Sequence, residues 1–505
     1  MTVTPAAASG ELARAARGAA VTFVGALVSA FLGFGLNFLV ARLLGPAGSG
    51  VVLQAMGVFT IAMSLALLGT DTAAIWLLPR LRATDPRRVR SAFVGVTLSA
   101  LLGGAVVALA WFVLLAWWPG LLQGNRDLVR AITAVALFLP AGALMTVTIA
   151  TTRAFGGVLP FNLIDRALVP GLRPVLTVLV VAAGGGTTAV ALAWAAPWAV
   201  GMVAALAVAL RQVRRVTERV GGPRRPDRRL LGTIGRYALP RAVAAVLDQA
   251  VIWLDVILVG IIAGPVAAGV YGATSRFVSA GVVVSNALRI VVAPRFSALL
   301  AERRGGDLQE LYTVTAAWIL LFGSPIYLTL AVFSSTVLGW LGPGFVPGAT
   351  SLVVLALGSL VVLAAGNVQS LLLMSGRSGL GALNKAVVVA FNVVGNLVLV
   401  PRIGIEGAAL TWAASMVLDT VLAATQVRRH TGIALSVRVT ARITAAAAGC
   451  VAVPELLVRS LLGDGWVSLL VAVAVAGAVL AGYVWLDRGA LRVHELVPRR
   501  RRSSA

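Results

Sequence analysis

Apolar residues run in blocks of about 20 along the whole chain, with charged or turn-forming residues gathered between them. An α-helix rises about 1.5 Å per residue, so a block of that length crosses the hydrocarbon core of a bilayer. The blocks fall at 18–41, 50–70, 92–116, 129–150, 162–183, 188–210, 239–263, 268–293, 312–334, 349–374, 380–400, 405–427, 440–460 and 466–486. Each is expected to be a transmembrane helix, fourteen in all. Two junctions carry no charge and rest on turn chemistry alone: Gly184 to Thr187, and Gly339 through Pro343 and Pro347 to Gly348.

The polar segments test this count. Basic residues crowd the connections after even-numbered spans: Arg80 to Arg90, Arg211 to Arg236, Arg295 to Arg304, Arg428 to Arg438, and the tail at Arg499 to Arg502. The opposite connections hold only Arg42, Arg126, Arg402 and Arg459, with Arg130 at a helix start. Cytoplasmic loops carry the excess of Lys and Arg, and a miscounted span would invert the bias downstream of it. The bias does not invert. Both termini are therefore expected in the cytoplasm, and the chain is expected in the cell (cytoplasmic) membrane as a multi-pass protein. The run at 18–41 follows Arg14 and Arg17 and is too long for a signal-peptide core, so it is expected to be a retained first span.

Composition agrees with a bilayer solvent. Of 505 residues, 59% are hydrophobic and 12% charged, too little polar surface to cover a soluble protein of this length. The formal charge of +24 would suggest nucleic acid in a soluble chain, but its alternation between loops is the mark of topology, so no nucleic-acid partner is expected. The chain has one cysteine, Cys450, and two distant histidines, His430 and His494, which offer neither a disulfide framework nor a metal site. No cofactor is expected.

The chain also repeats itself. Gly45-Pro46 followed by Gly50-Val51 recurs as Gly264-Pro265 followed by Gly269-Val270. Pro79-Arg80-Leu81 recurs as Pro294-Arg295-Phe296, and Gly186, Ala191, Leu192, Trp194 as Gly404, Ala409, Leu410, Trp412. The separations are 219, 215 and 218 residues, in the same order. Each repeat holds six spans, an even number, so both start on the same side and are related by an axis along the membrane normal. The expected fold is an all-α integral membrane protein with two six-helix lobes and two additional C-terminal helices. Its parts are an N-terminal lobe at 1–215, a basic linker at 216–235, a C-terminal lobe at 236–430, and spans 13–14 with a basic tail at 431–505.

The repeat blocks lie within motifs that resemble the polysaccharide flippases of the multidrug/oligosaccharidyl-lipid/polysaccharide exporter superfamily. They are Ala41-Arg42-Leu43-Leu44-Gly45-Pro46 with Gly50; Leu254-Asp255, Gly264-Pro265, Gly269-Val270-Tyr271 and Arg276; and Pro401-Arg402, Gly404 and Gly407-Ala408-Ala409-Leu410. The likeness covers spans 1 to 12. It implies a V-shaped, two-lobed exporter that flips undecaprenyl-pyrophosphate-linked glycans outward. It also implies a cationic site for the lipid phosphates that includes Arg276. Fourteen spans resemble the lipid II flippases and some polysaccharide flippases, whereas twelve would resemble the drug and cation exporters.

Charges inside spans need a reason, because one at mid-bilayer costs about 2.5–3.5 kcal/mol on insertion scales. Asp255 and Arg276 flank the turn at Pro265 at matching depth, and either pair with each other or present Arg276 to phosphate with Asp255 orienting it. Lys385 and Asp419 repeat that geometry on spans 11 and 12. Asp248 is a candidate for ion or proton coupling, or else bonds a neighbouring helix. Arg173 lies near mid-depth between Pro170 and Pro174, without an obvious acidic partner on span 6, and is expected to face water or an anion. Arg166, beside Asp165, and Arg289, near Pro294, lie close to the inner surface, where snorkelling is the alternative to binding. Arginine suits pyrophosphate because its fork of donors stays ionised and matches phosphate oxygens. Sugars would meet Asn37, Gln54, Asn162, Asn286, Asn367, Gln369, Asn392 or Asn396, which could equally join helices to one another.

The expected function is transport: flipping a lipid-linked oligosaccharide to the outer leaflet by alternating access, for cell-surface polysaccharide synthesis. Its partners are that lipid-linked glycan, the membrane lipids, and a polysaccharide polymerase with glycosyltransferases. Competing readings are a lipid II flippase, a drug or cation antiporter, and a membrane-embedded glycan polymerase. The last would need a sizeable outer loop with catalytic residues, and every outer loop here is short, so no enzyme activity is expected.

Overall fold

In a computed structural model, residues 5–118, 125–218 and 220–489 are described; the side chains of 5–20, 280, 282–288, 290, 291, 294 and 378 lie outside the description. The sequence features at His494, at Arg499 to Arg502, and in the side chain of Asn286 therefore fall outside it. Every regular element among the described residues is helical. In chain order the helices are α1 (Pro5–Leu67), α2 (Thr70–Thr84), α3 (Val89–Trp117), α4 (Arg126–Ala136) and α5 (Leu139–Ala154). A π-helical stretch, Phe161–Leu168, leads into α6 (Val169–Ala182), α7 (Thr187–Ala195), α8 (Pro197–Thr217) and α9 (Arg228–Ala280). There follow α10 (Val282–Ala301), α11 (Gly305–Val332), α12 (Ser334–Gly339), α13 (Ala349–Ala364), α14 (Val368–Met374) and α15 (Ser378–Thr431). The last three are α16 (Val437–Ala447), α17 (Val453–Leu462) and α18 (Trp466–Leu486).

Among the described residues, nine helices are long and apolar enough to cross a membrane, or ten if the bent pair α4 and α5 is one span. Their outward faces are apolar too: Leu102, Val106 and Leu109 of α3 are all more than half exposed. A helix apolar on every side belongs in lipid. The chain is a multi-pass membrane protein.

Three of these helices are broken by residues outside helical geometry: α1 at Gly45, α9 at Gly264 and α15 at Ile403 and Gly404. The three glycines hold φ of 65°, 87° and 64°, which costs nothing without a Cβ. Other spans expected to be continuous are broken as well. The run at 129–150 bends by 45° between Ala136 and Leu139, where Pro140 lacks the N–H that would bond Ala136. The runs at 50–70, 268–293 and 349–374 break at Leu68–Gly69, at Gly281 and at residues 365–367.

The chain packs as two compact units, Met1–Gly269 and Val270–Ala505. That partition differs from the two expected six-span lobes. In the first unit α5 lies against α3, α8 and α2, and Met145, Ile149, Phe161, Ile164, Val169 and Ala205 form a core beside it. At the breaks near Gly45 and Gly264 two backbones nearly touch. A Cβ at Gly50 would stand 1.9 Å from the carbonyl oxygen of Pro265, and one at Gly269 would stand 1.8 Å from that of Pro46. Only glycine permits such approach, and small residues at helix crossings are the usual basis of packing within lipid.

In the second unit α11 packs on α13, and α13 on α15. The C-terminal helices dock on α11 through polar contacts. The Thr329 hydroxyl donates to Glu455, which is fully buried, at 2.5 Å. Arg459 donates to the carbonyl of Val332 and, at 3.1 Å, to Asp464. Asp464 also accepts from the hydroxyls of Ser335 and Thr336. Burial raises the Asp464 carboxyl, but those hydroxyls and Arg459 outweigh it and hold it below its usual range.

Candidate functional site

The first unit gathers cations around α6. Pro170 and Pro174 have no N–H to give to the preceding turn, and the chain widens into a π-helix just upstream, at Phe161–Leu168. Arg166 and Arg173 sit on either side of that change. The Arg173 Nε donates to the Trp194 carbonyl at 3.2 Å. Its guanidinium lies over two indoles, 4.7 Å from the Trp194 ring centre and 5.3 Å from that of Trp198. Phe59 meets Trp194 edge to face at 5.2 Å and fixes that ring.

A desolvated cation–π contact contributes about 2 kcal/mol, against the 2.5–3.5 kcal/mol that a mid-span arginine costs. The rings offset much of the cost without supplying an acceptor. The Arg173 Nη2 is buried with no hydrogen-bond partner, and so are the Thr177 hydroxyl, one turn further along α6, and the Trp198 indole N–H. All three atoms can donate to a ligand.

The nearest carboxylate, Asp165, is shared. It lies 3.6 Å from Arg166 and within electrostatic reach of Arg173 and Arg153. Arg153 and Arg166 also lie over the Phe161 ring, at 4.7 and 5.2 Å. One carboxylate among three guanidiniums leaves the cluster net positive. The sequence reading found no acidic partner for Arg173 because it searched span 6; Asp165 stands two turns earlier on span 5. It also passed over Arg153, Trp194 and Trp198, although the recurrence of Trp194 as Trp412 in the repeat was a usable signal.

The second unit treats charge differently. The Lys385 ammonium bonds Asp419 at 2.7 Å, so the pairing reading holds there and this cation is already engaged. Beside this pair, Asn384 and Gln426 exchange amide bonds at 2.9 and 2.7 Å. Asn396 donates to the carbonyl of Asn392 at 2.8 Å, and Asn392 donates to the Ser415 hydroxyl at 3.4 Å. Asn37, Gln54 and Asn162 donate back to carbonyls of their own helices. Asp255 is buried and accepts from the Val256 N–H, Arg276 is half-buried, and Asp248 is exposed. Asp255 and Asp248 belong to the first unit and Arg276 to the second.

The second unit also holds a cavity of about 250 Å³, lined by Arg289, Tyr327, Asn367, Gln369 and Trp412 among others. The break between α13 and α14 builds it. Gly366 takes φ of 59°, the Tyr312 hydroxyl donates to the Ala365 carbonyl at 2.7 Å, and Asn367 is left in the gap.

A family model described as polysaccharide biosynthesis protein matches residues 15–300, more than half of the chain. The chain belongs to this family, the polysaccharide flippases of the multidrug/oligosaccharidyl-lipid/polysaccharide exporter superfamily. A relative in Haloferax volcanii, the probable low-salt glycan biosynthesis flippase Agl15, is 24% identical over 227 residues. That match spans 44% of this chain and 46% of the relative, so about half the relative's length is covered. Among solved structures, the lipid II flippase MurJ in an inward closed conformation superposes with a TM-score of 0.72 at 12% identity, over 94% of this chain and all of that one. An inward-facing multidrug resistance MATE family transporter gives 0.63 at 16% identity, over 80% of this chain and 94% of its own. The fold is that of MurJ and the MATE transporters. These relatives are named as flippases and transporters, and none as an enzyme.

Proposed function

We propose that this protein flips an undecaprenyl-pyrophosphate-linked oligosaccharide from the cytoplasmic to the outer leaflet by alternating access, in the synthesis of a cell-surface polysaccharide. The observation that carries the reading is the net-positive cluster at Arg173, whose buried donors lack an acceptor. A pyrophosphate supplies acceptors of the right charge to such donors. A drug or cation antiporter would want the opposite sign. In the first unit Arg166, with Asp165, adds to the cluster, and Asp248 and Asp255 are the candidates for coupling; in the second, Arg276 and Arg289 are further candidates to bind the phosphates. Lys385 and Asp419 serve as a structural pair.

The architecture we propose has fourteen spans. The three helices broken at Gly45, Gly264 and Gly404 each supply two, and the stretch through Phe161–Leu168 and α6 supplies one more. Two six-span lobes, divided by the linker at 216–235, account for the repeat. The reciprocal contacts of Gly50 with Pro265 and of Gly269 with Pro46 support them, because a two-fold axis makes each contact twice. The alternation of basic and neutral loops supports cytoplasmic termini and a place in the cytoplasmic membrane. A polymerase and glycosyltransferases would act before and after it.

Reconstitution tests the reading. Purified protein in liposomes loaded with fluorescent undecaprenyl-pyrophosphate-linked glycan should move label to the outer leaflet, where a membrane-impermeant quencher reaches it. Arg173→Ala should slow this at least about tenfold, the loss expected for one charge-assisted contact. Equal rates in wild type, variant and empty liposomes would remove the proposal. Lipid II is the second cargo to assay, since the MurJ structure covers more of this chain than the MATE structure does.

A further inference from the structure

We propose that the cavity beside Arg289 in the second unit is a subsite for a single sugar ring of the lipid-linked cargo; this rests on the flippase reading above. The cavity is about 250 Å³ and joins Tyr327 and Trp412 to the amides of Asn367 and Gln369, the hydroxyl of Ser370 and the guanidinium of Arg289. For scale, an apolar cavity of about 150 Å³ takes benzene. The larger volume takes one six-membered ring with its substituents.

The lining fits that ligand in kind as well as size. A pyranose has an apolar face of C–H groups and a rim of hydroxyls. Aromatic side chains suit the face, and amides, which donate and accept, suit the rim. A prenyl tail would want no amides, and a drug-like cation would want no guanidinium. The Asn367 Nδ2 is the pointed observation. Asn367 is 6% exposed, it lines the cavity, and this donor is buried without a hydrogen-bond partner. A buried amide donor that bonds nothing is costly unless a ligand or water meets it.

The backbone holds these groups in place. Asn367 occupies the break between α13 and α14, and its carbonyl receives the Leu371 N–H at 3.1 Å, so its side chain is directed by the start of α14. Tyr327 is fixed from behind: a Cβ at Gly281 would stand 2.4 Å from its ring. Arg289 is exposed at the cavity, where the phosphate that precedes the first sugar would meet a cation.

The test compares lipids that differ only in the sugar. The full-length protein in nanodiscs is titrated with undecaprenyl pyrophosphate, with the same lipid bearing N-acetylglucosamine, glucose or galactose, and with phosphatidylglycerol, and binding is read by native mass spectrometry. Wild type should hold at least one glycosylated lipid about tenfold more tightly than the bare pyrophosphate, the effect of one or two well-placed hydrogen bonds. Gln369→Ala and Trp412→Leu should each reduce that lipid to the level of the bare one. Equal binding of bare and glycosylated lipids by wild type overturns the subsite and leaves the flippase reading standing. So does a preference that survives both variants, or a loss that falls equally on bare and glycosylated lipid. Failure of every pyrophosphate lipid to exceed phosphatidylglycerol would instead overturn the flippase reading, and the subsite with it.

Discussion

Lys385 sits 2.7 Å from Asp419, whereas Arg173 lies over two indole rings with its nearest carboxylate divided among three guanidiniums. Lys385 lies on a helix apolar enough to span the membrane and Arg173 on one proposed to do so, where a charge carries the same insertion cost. The first is neutralised by an acid on the neighbouring span. The second is sheltered by π faces, which lower its energy without cancelling its charge. A site that must attract an anion, release it and bind again benefits from the second arrangement. A carboxylate at 2.7 Å would compete with phosphate at every cycle. The difference teaches that a paired charge is satisfied within the fold, whereas a cushioned one keeps a donor for the proposed anion.

Breaking the pair should have the largest effect on stability. Asp419→Leu leaves an ammonium among apolar neighbours and should cost about 3 kcal/mol, the low end for a buried pair because the Lys385 side chain is 26% exposed. Thermal denaturation in detergent should show it, and Lys385→Met combined with Asp419→Leu should recover most of the loss. A single variant as stable as wild type would contradict the structural role.

Arg173→Met sharpens the contrast from the other side. Removing a cushioned cation should change stability by less than about 1 kcal/mol, because the cost of burial and the ring contacts disappear together. Flipping should nevertheless fall. A strongly destabilised variant would mean that the arginine is there for folding.

Trp194→Leu should remove about 1 kcal/mol of cation–π stabilisation and part of the transport rate, and Trp198→Leu less, since its ring is the more distant of the two. Wild-type behaviour of both variants in denaturation and liposome assays would dissolve the idea of a cushion.

Acidification gives the smallest expected effect and a reference for charge outside the membrane. Asp464 titrates below its unfolded value of 3.8, so its contacts stabilise the fold above that pH and are lost as pH falls through the lower, folded value. Asp464→Asn should therefore lower stability slightly at pH 7 and flatten its decline as the pH falls below the unfolded value of 3.8. An unchanged acid limb would show that Ser335, Thr336 and Arg459 hold the loop without it.

Much of this was legible in the sequence, because the bilayer imposes a simple code. Span length, basic loops and the repeat around Gly45 and Gly264 led to a helical membrane transporter, and the family match agrees. The Lys385–Asp419 pair followed from matched depth on adjacent spans. Reading depth alone could not give rotation about the helix axis. Whether Arg173 meets Trp194 or lipid depends on that rotation, and here it depends on a π-helical stretch upstream that carries no distinct composition. The break at Gly366 was hidden for a similar reason: one glycine in an apolar run looks like many others. The cavity beside Asn367 could not be anticipated without it.

The crossing of Gly50 over Pro265 and of Gly269 over Pro46 has a consequence for how the protein tolerates change. Two copies of one short motif clasp each other, so each copy is both lock and key. A methyl group at Gly50 would stand 1.9 Å from the Pro265 oxygen and also 2.8 Å from the Gly269 nitrogen, so prising one half open strains its twin. A single substitution there therefore disturbs both contacts at once.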